Sequence, residues 1–229
     1  MDAERIIQMS EFVDLFSGAD PESISTSVQL LLLLTILSIA PGILILMTSF
    51  ARIIIVLSFV RTSLATQQMP PNQVLIGLAL FLTFFIMAPT FNEVNENALT
   101  PLLEEEISLE EAYTNASEPM KEFMSSHTRQ KDLELFLNYS GAEAPETVQE
   151  IPMTTLVPAY AISELKTAFQ MGFMIFVPFL VIDMAVASVL MSMGMMMLPP
   201  VMISLPFKIL LFVLVDGWYL ITHSLLEGF

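Results

Sequence analysis

The stretch DMAVASVLMSMGMMMLPPVMISLPFKILLFVLVDGW, Asp183 to Trp218, decides the fold. Two apolar runs flank a proline pair: Phe173 to Leu198 precedes Pro199-Pro200, and Val201 to Ile221 follows it. Proline has no backbone N–H and its ring clashes with the preceding turn, so the pair forces a sharp turn and the runs read as a helical hairpin. Three ionisable groups, Asp183, Lys208 and Asp216, lie inside these apolar surroundings. A charge at membrane depth costs at least about 2.5–3.5 kcal/mol, so these side chains are expected to face protein or water and not lipid. With the apex near Met197, antiparallel packing sets Asp183 opposite about Leu211, within roughly one helical turn of Lys208. A buried Asp183–Lys208 ion pair is one outcome, and separate placement of each charge in a wet protein interface is the other.

Methionine crowds that apex. Nine of the 17 methionines lie between Met171 and Met202, and five fall within seven residues: Met191, Met193, Met195, Met196 and Met197. Unbranched thioethers fill irregular gaps and repack, so a ring of them from several subunits would close a pore and yield to a passing chain. From composition alone, ordinary packing at a hairpin tip is the simpler account.

Working outward, Leu30 to Val60 forms a second apolar block. As one straight helix it would run about 46 Å against an apolar bilayer thickness of roughly 30 Å. Pro41-Gly42 sits near its middle, which predicts a break or a strong kink there. Arg52 lies within the block and is expected to face protein or water. After Arg61 comes the polar segment TSLATQQMPPNQ, a turn signal, and then an apolar run from Val74 to Phe91, which makes a first helical hairpin.

The remainder is acidic. The 229-residue chain is 55% hydrophobic and only 14% charged, with a net charge of −16. Six acids against one base lie in residues 1–22 and fourteen against three in residues 93–150, while the rest balances. In the middle region Ser108 followed by Glu111, and Ser117 followed by Pro119, read as helix starts. Met120, Phe123, Met124 and His127 share one helical face, as do Leu133, Phe136 and Leu137, but the two sets are out of phase. Two short amphipathic helices or one kinked helix are expected, ending near Gly141. The N-terminal residues MDAERIIQMSEF lack a basic start, apolar core and cleavage site, so no cleaved leader is expected.

These features exclude several functions. A mean hydropathy of +0.71 and apolar runs of this length indicate an integral membrane protein. Its acidity would repel nucleic acid. With no cysteine there is no disulfide, thiolate metal site or cysteine nucleophile. His127 and His223 have no companions at metal spacing, and no phosphate-binding glycine loop exists, so neither a metal nor a cofactor is expected. Asp183 and Asp216 invite comparison with intramembrane aspartyl proteases. Asp216-Gly217-Trp218 lacks the glycine-flanked aspartate pattern of that class, and an enzyme is not expected. A small-solute transporter using Asp183, Lys208 and Asp216 is a further alternative.

Three stretches carry a resemblance: PAYAISELKTAFQMGF (Pro158 to Phe173), MTSFARIIIVLSFVRTSLATQQMPPNQVLIGLALFLTFFIMAPTF (Met47 to Phe91) and the Asp183 to Trp218 hairpin. They resemble the FliP family of flagellar type III export-gate proteins, shared in related form with virulence-type secretion systems. The resemblance covers nearly the whole chain after about Ser25. It implies a pentameric homo-oligomer assembling with FliQ-like and FliR-like gate subunits into a helical cone in the bacterial cytoplasmic membrane, at the flagellar basal body. FlhA-like and FlhB-like export components would dock against it, and unfolded flagellar subunits would pass through. The loop Met191–Met197 would line the lumen as a gasket. Glu164, in the SEL run, would lie at a subunit interface, and Arg52, Lys166, Asp183, Lys208 and Asp216 are expected as buried charges or interface residues.

The expected fold is thus an all-α integral membrane protein. An acidic lead (1–27) precedes a first hydrophobic hairpin (28–91), an acidic extracytoplasmic helical region (92–157) and a second hairpin with the methionine-rich loop (158–229). Hydropathy with the positive-inside rule would put the Arg52–Arg61 end in the cytoplasm and both termini outside. The resemblance implies instead that sister subunits cover much of the apolar surface. That suits broken helices, because irregular backbone at membrane depth must be covered by protein or line a cavity.

Overall fold

Apolar runs without nearby polar partners close their hydrogen bonds within the chain, and helices result. The computed structural model describes residues 21–66, 69–140, 145, 147–195 and 197–229. Its helices are α1 (Pro21–Met47), α2 (Phe50–Ser63), α3 (Asn72–Val94), α4 (Leu109–Ser126), α5 (Gln130–Ser140), α6 (Met153–Ser192), α7 (Pro200–Leu214) and α8 (Gly217–Glu227). No strand occurs among the described residues. The expectations for the acidic lead and its leader fall mainly on residues 1–20, and Gly141 and Met196 likewise lie outside the described residues.

The chain divides into two units, Met1–Leu44 and Ile45–Phe229. In the first, α1 continues through Pro41, so of the break or strong kink expected at Pro41-Gly42 the break is not there. A helix interior tolerates the one hydrogen bond that proline removes when apolar residues on both sides favour helix. The interruption falls at Thr48-Ser49, where the Thr48 hydroxyl accepts the Phe50 N–H at 3.3 Å and so supplies a partner for an otherwise orphaned donor at the start of α2.

In the second unit α2 is the central element. Ile53, Val56, Leu57 and Val60 are fully buried, with α6 as the principal packing partner and α3 on another side. Ring contact between Phe59 and Phe169, edge to face with centroids 5.4 Å apart, joins α2 to α6. One turn further along α6, Gly172 lies against the Phe59 side chain, which occupies the space a β-carbon would need. The Arg61 guanidinium donates to Asn72 Oδ1 and closes the loop between α2 and α3.

Helix α3 does not stop where the hydrophobicity stops. The apolar run ends at Phe91, but the helix continues through a π-turn at Asn95–Leu99 and a last turn at Thr100–Leu103. Backbone hydrogen bonds, and not side-chain polarity, set its end, and Asn115 of α4 donates to the Asn97 carbonyl at 2.9 Å beside the wider turn. Helix α4 starts on a capping box: Glu111 N–H donates to the Ser108 hydroxyl, and the Glu111 carboxylate accepts from the Ser108 N–H. The helix start expected at Ser117-Pro119 is absent, since Pro119 lies buried inside the continuous α4. After α4, α5 is a separate helix ending at Ser140, so the middle region is two helices and not one kinked helix. Met124, Ile151, Leu156 and Tyr160 form a small core under them.

Helix α6 begins at Met153, five residues before the expected boundary, and runs 40 residues to Ser192. Two helical runs, Asn72–Leu103 and Met153–Ser192, are long and apolar enough to cross a membrane. Two broken pairs qualify if each counts as one span: Leu37–Met47 with Phe50–Ser63, and Pro200–Leu214 with Gly217–Glu227. Only 22% and 11% of the most apolar windows of the two long runs are buried by the protein's own atoms. Lipid or further protein must cover the rest.

Gly172→Ala is expected to lower stability by about 1–3 kcal/mol in thermal unfolding of the detergent-extracted protein, because its methyl overlaps Phe59. Gly77→Ala, with open space around it, should leave stability unchanged or raise it by up to about 1 kcal/mol. The backbone N–H and hydroxyl of Ser108 hold the Glu111 carboxyl below the usual carboxylate range. Its contribution is therefore complete above the ordinary carboxylate pKa and fades as pH falls through the lowered value, a dependence that Glu111→Gln should remove from the acid limb of the unfolding profile and that Ser108→Ala, which keeps the backbone N–H, should only reduce.

Candidate functional site

Two groups of polar side chains are built into the apolar packing, and the methionine apex stands clear of it. The first group centres on Arg52. From the buried face of α2 its Nε donates to Glu164 Oε2 at 2.7 Å, and its Nη2 donates to Glu164 Oε1. This two-pronged geometry suits a guanidinium and a carboxylate, whose planes match. Arg52 is 3% exposed and Glu164 0%. The remaining guanidinium nitrogen, Nη1, donates to the Gly228 carbonyl at 2.6 Å, and the Phe229 ring lies 3.8 Å from the guanidinium carbon. Phe229 also stacks on Phe123 and touches His127, so Arg52 ties the C-terminal residues to α4 and α6 together.

Glu164 is thus a buried charge of the protomer. Both its oxygens are occupied by Arg52, and the helix face that carries it packs on α2. Its neighbour Ser163 makes a second joint. The Ser163 hydroxyl donates to Asp132 Oδ2 at 2.6 Å and accepts the Arg129 N–H at 3.0 Å, while Arg129 Nη2 donates to the same Asp132 oxygen at 2.5 Å. The adjacent Ser163 and Glu164 therefore fix α5 and α2 to one turn of α6. Sequence reasoning singled out Glu164 and Arg52 separately and missed Ser163, Arg129, Asp132 and Phe229. The signal for Ser163 was a second polar residue beside Glu164 in an apolar helix.

The second group joins the hairpin. Lys208 Nζ donates to Asp183 Oδ2 at 2.6 Å, and the Ser204 hydroxyl donates to Asp183 Oδ1 at 2.5 Å. Lys208 and Ser204 are buried, and Asp183 is partly so. Both carboxylate oxygens have donors, which the interior demands of a desolvated charge. The other two charges are not buried in the protomer. Lys166 is exposed on α6, and Asp216 is exposed at the break between α7 and α8, where it takes left-handed backbone angles (φ 51°, ψ 54°). Asp216 marks a helix break because an aspartate tolerates that conformation better than most side chains. The ring of Phe212 fills the space beside the following Gly217.

The apex has a fixed backbone and free side chains. Met193 caps α6, Gly194 follows at φ +74°, the Gly194 N–H reaches the Met191 carbonyl at 3.0 Å and the Met195 N–H reaches the Leu190 carbonyl at 3.0 Å. Those two bonds are the paired closure of a helix end by a left-handed residue, and glycine supplies that residue without strain. Met191, Met193, Met195 and Met197 are exposed, Met197 at 98%. Packing within the hairpin tip therefore does not account for these four.

An apolar cavity of about 750 Å³ lies between α6 and the α7–α8 pair, with Phe179, Phe212 and Leu220 among its walls. None of Asp183, Lys208 and Asp216 lines it. Among the described residues no cluster of histidine, aspartate and glutamate has the arrangement to hold a metal ion.

Residues 33–225 match the FliP family. Flagellar biosynthetic protein FliP of Bacillus subtilis (strain 168) is 76% identical over 221 residues, which cover 96% of this chain and 100% of the relative. The protein of that name from Caulobacter vibrioides is 52% identical over 229 residues, 100% of this chain and 85% of its own. The one from Pectobacterium carotovorum is 55% identical over 210 residues, 91% and 81% respectively.

Removing one partner of the Arg52–Glu164 pair leaves a buried charge uncompensated. Glu164→Leu alone is expected to cost about 3–5 kcal/mol, whereas Arg52→Met combined with Glu164→Leu should cost markedly less than the sum of the single changes. Thermal unfolding of the four proteins of this cycle measures the coupling.

Proposed function

The chain belongs to the FliP family, and on that premise we propose that it is a core subunit of the flagellar type III protein export gate, forming a gated pore through which unfolded flagellar subunits leave the cytoplasm. Several copies, five by the resemblance, assemble with FliQ-like and FliR-like subunits into a helical cone in the cytoplasmic membrane. FlhA-like and substrate-sorting FlhB-like components dock against it there, and driving force comes from other components. The protein itself is a conduit.

The methionine apex carries this reading. A turn with committed backbone hydrogen bonds holds thioether side chains away from the protomer's own packing. In a ring of copies such side chains would meet around an axis and seal it by dispersion contacts, with enough rotamer freedom to part for a chain in transit. The broken helices and the large uncovered apolar faces also fit a subunit whose surface sister copies complete. The exposed Lys166 and Asp216 are available for contacts between copies.

Deletion of Met195–Met197 should leave assembly intact and make the closed gate permeable to small ions. Conductance or ion-flux measurements on membranes carrying the assembled gate test this, and an unchanged permeability would remove the gasket role.

A further inference from the structure

The chain has no cysteine, so its methionine thioethers are its only oxidisable sulfur atoms. Susceptibility of a thioether follows its access to the oxidant, and this protein spans the extremes. Met87 and Met124 are 0% exposed, while the apex holds four exposed methionines within seven residues. The apex backbone is already committed through the Gly194 and Met195 N–H groups, so a chemical change at sulfur acts on side-chain polarity and leaves the turn in place. Met69, Met174, Met184 and Met202 are also exposed in the protomer, but they are scattered singly: Met174 and Met184 lie within the membrane-capable run of α6, Met202 in α7, and Met69 in the loop between α2 and α3.

We propose that Met191, Met193, Met195 and Met197 form an oxidation site, at which hydrogen peroxide in the lumen converts thioethers to sulfoxides and loosens the closed gate reversibly. This rests on the reading of the apex as the gate seal. In the reaction a sulfur lone pair attacks one peroxide oxygen, an S–O bond forms and the O–O bond breaks. The thioether loses two electrons, the attacked oxygen gives up its proton, and the other peroxide oxygen takes that proton and leaves as water. The product is a strongly polar group on a side chain that had been apolar. A seal held by dispersion and exclusion of water takes up water when its lining becomes polar. Methionine sulfoxide reductases, one for each sulfoxide epimer, reverse the step with a dithiol as reductant: the dithiol is oxidised to a disulfide and the sulfoxide oxygen leaves as water.

The experiment uses the full-length protein in its assembled complex in membrane vesicles, exposed to hydrogen peroxide. Peptide mass spectrometry follows sulfoxide formation, and ion flux is read on the same vesicles. Apex sulfoxides should appear faster than those at Met87 and Met124, on the order of 10-fold or more, with a parallel rise in ion flux that the two reductases reverse. With leucine at positions 191, 193, 195 and 197, the peroxide-induced rise over the variant's own untreated flux should vanish. Apex oxidation no faster than at Met87 and Met124 overturns the proposal, and so does an equal rise in the leucine variant. Full apex oxidation without flux, where deletion of Met195–Met197 does leak, overturns the proposal and leaves the gate seal standing. If neither oxidation nor deletion leaks, the gate seal itself fails and the proposal falls with it.

Discussion

A guanidinium and a carboxylate withdrawn together from water hold this fold in register. Desolvating either alone costs several kcal/mol, so Arg52 and Glu164, 112 residues apart, are stable in the interior only when each satisfies the other. That condition is demanding. It fixes the rotation of α2 and α6 about their axes, since a shift of one residue on either helix would carry the charge away from its partner. Arg52 donates from its third nitrogen to the Gly228 carbonyl and lays its face against the Phe229 ring, so the C-terminal residues are held by the same group. Ser163, one residue before Glu164, extends the constraint to α5 through Asp132 and Arg129. A single turn of α6 thus orients three other parts of the chain.

The second hairpin obeys the same rule on a smaller scale. Asp183 takes donors from Lys208 and Ser204, which fixes α7 against α6, and the turn between them is then determined by Gly194 and the proline pair. Helices positioned by buried polar contacts can leave their apolar faces uncommitted. Those faces are extensive here, and the methionines of the apex are the part of them presented at the end of a helix.

Features set by local chemistry were legible in the sequence. Pro199-Pro200 announces its turn because proline acts on the backbone directly, and the Ser108–Glu111 capping box is a signature three residues long. The approach of Asp183 to Lys208 follows from an apex position and helical rise, because a hairpin leaves little else free. Features set by competition were not legible. Pro41, which suggests a break or kink, and Pro119, which suggests a helix start, both lie inside helices, since one lost hydrogen bond does not outweigh favourable surroundings on both sides. The end of α3 was placed where hydrophobicity falls, although the backbone continues through a π-turn. The pairing of Arg52 with Glu164 has no local signal at all. It depends on which faces of two distant helices meet, and only tertiary packing determines that. For the same reason Lys166 and Asp216, which look on paper like Lys208 and Asp183, are exposed.

A chain with this much uncovered apolar surface, two satisfied internal charge pairs and a cluster of thioethers at one helix end leaves lipid or further protein to cover it, and the proposed export gate supplies that cover with sister subunits. Native mass spectrometry of the detergent-extracted protein, alone and coexpressed with the two small hydrophobic gate subunits, tests that most directly. The account predicts a discrete homo-multimer that captures both partners. A 25.5 kDa monomer that ignores them would contradict it.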